Sequence, residues 1–201
     1  MTTTVTQDVF QLAEVFTISR GSRTEAKVLT VKIERDGVVG WGECVPYARY
    51  DETMDSVADQ IAGLPADVTR DDLYDLLTAG AACNAVDCAL WDHEAKTAGK
   101  RVWDLIGVPA PKPCITAFTL SLDTPENMRA SAAKHAHRPL LKIKLGTPDD
   151  MARLEAVRAG APKSEIIVDA NEGWTADVYS DLAPHLIRLG VTMVEQPMPA
   201  G

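Results

Sequence analysis

The chain has 201 residues, of which 46% are hydrophobic and 24% charged, an ordinary globular composition that suffices for one large domain or two small ones. Its 20 Lys and Arg against 29 Asp and Glu give a net charge of -9, which argues against nucleic-acid and anionic-membrane partners and favours a small solute as the ligand. No apolar run reaches the roughly 18 residues of a membrane span, no signal peptide is recognisable, and the four cysteines form no CxxC pair. These features predict a cytoplasmic protein without a zinc site or a disulfide framework.

The first half of the chain has the pattern of an α+β domain. Residues 9–44 are typical of β structure, with Leu29, Val31 and Ile33 on one face and a hairpin turn at Asp36-Gly37. Helical patterns follow at 55–64, 70–77 and 81–98.

A proline-rich linker at 109–113 predicts a boundary between domains 1–112 and 113–201. Beyond it, strands and helices alternate, which predicts a parallel sheet with right-handed crossovers. The predicted strands are 115–121, 140–145, 166–170 and 191–196, and the predicted helices are 125–137, 148–159 and 176–189.

Polar residues recur at the ends of these strands. Lys144, Asp169 and Glu195 follow one another at intervals of 25 and 26 residues, and a step of 25 back from Lys144 gives Thr119. Such a period is typical of a βα-barrel active site, where the carboxyl ends of the strands converge on the ligand. A doubly wound sheet would also bind ligands there, but the chain lacks the glycine-rich motifs of nucleotide sites.

Two lysines mark the second of these strands. Lys142 and Lys144 stand at i and i+2, so both side chains point to the same face. Two neighbouring ammonium groups in a pocket should lower the pKa of at least one, which could then act as a general base. The alternative is a solvated edge strand with a basic outer face.

Carboxylates end the next two strands. Asp169 and Glu195 would repel each other unless a cation lay between them, and an all-oxygen site suits Mg²⁺ or Mn²⁺. The alternative for Asp169 is a helix N-cap. That alternative is weaker for Glu195, because Pro197 prevents an immediate helix.

The KxK, D-x-N and E-x-P strand ends resemble those of the muconate-lactonizing subgroup of the enolase superfamily. Four further segments are similar to the dipeptide epimerases, namely 20–26, 42–50, 84–92 and 169–174. The resemblance covers essentially the whole chain. It implies an α+β capping domain, with the N-terminal fold of enolase, followed by the first half of a (β/α) TIM-like barrel.

The resemblance also implies catalytic roles. Lys144 would be the acid/base on one face of the substrate α-carbon, and Lys142 its electrostatic helper beside the substrate carboxylate. Asp169 and Glu195 would ligate Mg²⁺, with Mn²⁺ as an alternative, and Asn171 would support these ligands from behind. The reaction would be epimerisation of a small acidic dipeptide such as those of peptidoglycan.

Two residues would contact the substrate. Thr119 matches a position on the first barrel strand, and Arg23 matches an arginine that binds the glutamyl side-chain carboxylate. Arg20 and Arg49 are substitutes for Arg23, which could also be a solvated hairpin residue.

In the family, a third metal carboxylate lies on the fifth barrel strand and an opposing lysine on the sixth. A complete barrel takes roughly 250 residues, whereas this chain stops just past the fourth strand. The expectation is therefore the front portion of a longer protein, inactive as an epimerase by itself.

Three alternatives within the subgroup remain open: a muconate cycloisomerase, an o-succinylbenzoate synthase and an N-acylamino acid racemase. A non-catalytic fragment is the alternative from another class. The only partner expected besides the substrate is a second copy of the chain in a homo-oligomer.

Overall fold

A computed structural model describes residues 2–200, and the chain divides into two compact units. The first joins the stretch up to Gln11 to Glu25–Lys112, and the second joins Leu12–Thr24 to the stretch from Pro113 onward. A contiguous division at residue 112 therefore assigns residues 12–24 to a different unit than the structure does.

A three-stranded sheet has the order β1-β2-β3, and its residues outside 12–24 belong to the first unit. Its strands are β1 (Thr2–Ile18), β2 (Gly21–Arg35) and β3 (Val38–Cys44). The predicted hairpin between β2 and β3 is confirmed: the strands pair antiparallel, and Asp36 and Gly37 both have positive φ, at 51° and 76°. Leu29, Val31 and Ile33 are fully buried on the predicted face.

The helices of this unit are α1 (Met54–Ala62), α2 (Arg70–Leu76), α3 (Ala81–Ala98) and α4 (Val102–Leu105), with a 3-10 turn at Ala48–Tyr50. The predicted helices α1 to α3 are confirmed. Helix α3 buries Val86, Ala89 and Leu90 in one hydrophobic cluster with the residues of β2. The 3-10 turn and α4 escaped prediction because a single turn is too short to show a hydrophobic period.

The second unit contains a four-stranded parallel sheet in the order β4-β5-β6-β7. Its elements are β4 (Phe118–Leu120), α5 (Pro125–Lys134), β5 (Leu140–Lys144), α6 (Asp150–Gly160), β6 (Glu165–Asp169), α7 (Ala176–Arg188) and β7 (Val191–Glu195). This confirms the predicted fold class, an α+β region followed by the first half of a (β/α) barrel. Strand β4 is shorter than the predicted 115–121, since residues 115–117 are exposed and lie outside the pairing with β5.

The segment 12–24 joins this unit through hydrogen bonds with the residues that directly follow β4. The Thr17 N–H donates to Ser121 Oγ at 2.6 Å, and the Leu122 N–H donates to Thr17 O at 3.0 Å.

Within residues 2–200, no helix combines the length and the apolar character that a membrane span requires.

Candidate active site

The parallel register brings the predicted strand-end residues to one edge of the sheet. Lys144 pairs with Asp169, and Asp169 pairs with Glu195. Thr119 pairs with Lys142, two residues before Lys144 on β5. Strand β5 has a neighbour on each side and Lys144 is 7% exposed, so the solvated-edge interpretation of the two lysines is wrong.

The four charged side chains form one network of hydrogen-bonded ion pairs. Lys144 Nζ lies 2.6 Å from Asp169 Oδ2. Lys142 Nζ lies 3.1 Å from the same oxygen and 2.6 Å from Glu195 Oε2. The ammonium of Lys142 thus provides the positive charge that two neighbouring carboxylates need.

The lysine pair was predicted to lower the pKa of at least one of its members, but the pKa of Lys142 is not lowered. Burial lowers it, but hydrogen bonds from the ammonium to Glu195 and Asp169 outweigh burial, so the pKa of Lys142 is raised. The prediction considered only the two lysines, whereas the carboxylates on β6 and β7 dominate. Burial acts against the Asp169 carboxylate, yet its bonds from Lys144, the Asn171 N–H and Lys142 hold the pKa of Asp169 below its usual value.

Asn171 lies directly behind Asp169. Its backbone N–H donates to Asp169 Oδ1 at 2.9 Å, and its side-chain amide donates to Asp169 Oδ2 at 3.3 Å and to Gln196 Oε1 at 3.2 Å. The residue is 6% exposed and has a left-handed φ of 49°. Its side-chain oxygen Oδ1 is buried without a hydrogen-bond partner. This oxygen is therefore a further potential metal ligand beside the two carboxylates.

The donor set suits a hard divalent cation. Mg²⁺ is commonly held by one or two carboxylates, with water or substrate completing the shell. Asp169, Glu195 and the unpartnered Oδ1 of Asn171 are all oxygen donors. Among residues 2–200, no group of three or more His, Cys, Asp and Glu side chains is placed to hold a metal.

Phe16 connects the lysine site to the hairpin that carries Arg23. The Arg23 guanidinium carbon lies 5.4 Å from the centre of the Phe16 ring, and Lys144 Nζ lies 5.8 Å from it. Phe16 also lines a cavity of about 630 Å³ together with Thr119 and Ser121. Sequence reasoning missed Phe16, because an aromatic residue in an edge segment shows no chemical pattern.

Of the two substitutes for Arg23, Arg20 is engaged with the β6 strand end. Its guanidinium donates to Asn171 O at 2.8 Å and to Glu172 Oε2 at 3.2 Å. Arg49 lies in the 3-10 turn of the first unit.

Both parts of the chain match known protein domains. The N-terminal domain of the mandelate racemase / muconate lactonizing enzyme family matches residues 1–107, and the enolase C-terminal domain-like family matches residues 126–201. The chain belongs to the mandelate racemase / muconate lactonizing enzyme family, within the enolase superfamily.

Similar members of this superfamily are epimerases and racemases. The L-Ala-D/L-Glu epimerase of Escherichia coli K12 is 43% identical over 99% of this chain and 64% of its own length. The N-acetyl-D-glutamate racemase of a Pseudoalteromonas species is 40% identical over 87% of this chain and 57% of its own length. The chain therefore spans less than two thirds of either relative.

A solved structure is similar throughout. An enolase family member from Agrobacterium tumefaciens, described as homologous to dipeptide epimerases, superposes on this chain with a TM-score of 0.95 at 48% sequence identity. The superposition covers 99% of this chain and 62% of the Agrobacterium chain. That structure holds sodium and L-Ala-L-Glu.

Proposed function

We propose that the protein is an epimerase of dipeptides with an acidic second residue, of the L-Ala-D/L-Glu type, and that it depends on Mg²⁺. The observation that carries this proposal is the buried Lys144 ammonium, 2.6 Å from Asp169, beside a second lysine and a second carboxylate at one strand-end edge. Membership of the superfamily and the similarity to named epimerases support the same reaction class.

In this proposal Lys144 removes or delivers the proton on one face of the substrate α-carbon. A buried amine within reach of a carboxylate pair can exchange a proton with substrate without competition from bulk water. Lys142 would bind the substrate carboxylate and offset the negative charge that develops on it.

Asp169 and Glu195 would hold the divalent cation, Mg²⁺ with Mn²⁺ as an alternative, and Asn171 would keep Asp169 in place. When bound, the cation supplies the Lewis-acid charge that stabilises a deprotonated carboxylate substrate. Lys142 now bridges the two carboxylates. Lys142 would therefore have to give up part of this contact to reach the substrate.

Substrate specificity would come from Arg23 and Thr119. A guanidinium pairs with a carboxylate through two parallel hydrogen bonds, which suits the side chain of a glutamyl residue. Arg23 is exposed and stacked on Phe16, so its charge is available near the Lys144 end of the site. Thr119 lies beside Lys142 in the register and lines the same cavity as Phe16.

The test is exchange of the substrate α-proton in D₂O, followed by NMR with L-Ala-L-Glu and millimolar Mg²⁺. In a protein that also carries the opposing lysine implied by the family resemblance, we expect Lys144→Ala to remove exchange from one epimer. The exposed Lys163→Ala, at the opposite end of the sheet, is the matched control and should leave exchange unchanged. Parent-like exchange of both epimers by Lys144→Ala would refute the assigned role.

A second candidate is racemisation of an N-acylated acidic amino acid, favoured by the similarity to the N-acetyl-D-glutamate racemase. Both substrates place a carboxylate beside the α-carbon and a second carboxylate on the side chain, so the residues above would serve either. The ratio of kcat/KM for L-Ala-L-Glu and N-acetyl-L-glutamate decides between the two reactions. We also propose a cytoplasmic location, which the acidic composition supports.

A further inference from the structure

A buried carboxylate closes the turn that follows Lys144. Asp150, the first residue of α6, is 2% exposed. Its Oδ2 accepts hydrogen bonds from the Gly146 N–H at 2.7 Å and the Thr147 N–H at 3.0 Å, and its Oδ1 accepts from Thr147 Oγ1 at 3.2 Å. Every donor so far belongs to the turn between β5 and α6.

The same oxygen also reaches the turn that follows Asp169. Trp174 is 2% exposed, and its indole Nε1–H donates to Asp150 Oδ2 at 2.7 Å. The Trp174 backbone N–H in turn donates to Pro197 O at 3.0 Å, just beyond β7. One carboxylate oxygen therefore joins the segments that follow two neighbouring strands.

The backbones of these two turns are in direct contact. A Cβ on Gly173 would lie 2.6 Å from Gly146 Cα, and a Cβ on Gly146 would lie 2.5 Å from Ala170 O. Neither position has room for a side chain, and Gly146 also has a φ of +116°. The turns can slide or separate only if the bond from Trp174 to Asp150 lengthens or breaks.

We propose that Asp150 and Trp174 form a positioning pair that fixes Lys144 relative to Asp169. The inference rests on the proposed function for its effect on the reaction, but not for the coupling of the two turns. The hydrogen bonds of Asp150 and Trp174 join these two residues to each other, to the Gly146–Thr147 turn and to Pro197 O. Each residue acts through the turn that begins one or two residues after a site side chain.

The neighbourhood of Asp150 supports a role in holding geometry. Arg153 lies 3.6 Å from Asp150 Oδ1 and supplies a counter-charge to the buried carboxylate. Arg153 Nε also donates to Asp123 O at 2.7 Å, in the connection after β4. Side chains thus link the connections after β4, β5 and β6. We assign these side chains no contact with the substrate.

The test variant is Trp174→Phe, which keeps an aromatic ring in the core and removes the N–H together with the five-membered ring of the indole. Arg158→Met is the matched control. Arg158 joins the connections before β6 and β7, through Ser164 O at 2.7 Å and Leu189 O at 2.9 Å, so it links loops at the opposite end of the strands.

Two readouts are measured on parent and variants. Hydrogen exchange reports the Gly146 and Thr147 amides, and kinetics report kcat and KM for α-proton exchange. We expect Trp174→Phe to speed amide exchange in this turn and to lower kcat roughly 10- to 100-fold, as a displacement of about 1 Å does, with little change in KM. Arg158→Met should lower the melting temperature and leave kcat near the parent value.

The outcomes separate the two levels of the argument. If a parent protein that also carries the third carboxylate and the opposing lysine implied by the family resemblance exchanges no α-proton, the proposed function fails, and faster amide exchange in Trp174→Phe still supports the coupling of the turns. If Trp174→Phe leaves both readouts at the parent level, or if Arg158→Met lowers kcat equally for the same loss of stability, the positioning pair is refuted.

Discussion

Replacing Asp169 by Asn should destabilise the metal-free protein strongly. Asp169 is 1% exposed and accepts charged hydrogen bonds from Lys144 at 2.6 Å and from Lys142 at 3.1 Å. Asn preserves the volume and one acceptor oxygen but removes the charge. Lys144, itself 7% exposed, would then be left as a buried ammonium without its counter-ion.

Breaking a buried ion pair by removing one partner costs about 3–5 kcal/mol. We expect the lower end for Asp169→Asn, because Lys142 retains Glu195 as a partner. The penalty should depend on pH. Since the folded-state pKa of Asp169 is lowered, its carboxylate stabilises the protein above the unfolded pKa of roughly 4, and this contribution disappears as pH falls through the folded pKa.

The assay is urea unfolding in EDTA, followed by circular dichroism at pH 7 and at an acid pH. Glu165→Gln is the matched control, because Glu165 is exposed on the same strand. The double variant Lys144→Met/Asp169→Leu should recover most of the loss, since an apolar pair removes both buried charges. A loss below about 1 kcal/mol, or one equal to that of Glu165→Gln, would refute the reasoning.

Two further predictions concern ligands. Lys142→Met should strengthen Mg²⁺ binding in calorimetric titration by about fivefold or more, because even water-like screening leaves about 1 kcal/mol between unit charges 4 Å apart. Unchanged or weaker binding would contradict a metal site between Asp169 and Glu195. Arg23→Ala should raise KM for L-Ala-L-Glu much more than for L-Ala-L-Leu, because only the former offers a side-chain carboxylate to the guanidinium. Equal effects on both substrates would contradict the assigned role, and Arg20→Ala and Arg49→Ala would then be compared.

The sequence by itself determined the elements and the spacing of the charged strand ends. Alternating apolar residues and the Asp36-Gly37 turn predicted the hairpin, and the intervals between Lys144, Asp169 and Glu195 predicted that these residues meet at one edge. Such features are local: a strand exposes alternate residues, and one βα unit has a nearly constant length.

Only the tertiary structure decided which groups face each other across those strand ends. The raised pKa of Lys142 depends on carboxylates 27 and 53 residues away in the chain, and the bond from Trp174 to Asp150 depends on two glycine turns meeting backbone to backbone. The placement of Phe16 with the barrel strands likewise arises from contacts between the segment 12–24 and the residues that directly follow β4. Periodicity carries no information about these contacts, because they are set by inter-strand register and turn geometry rather than by the sequence of any one element.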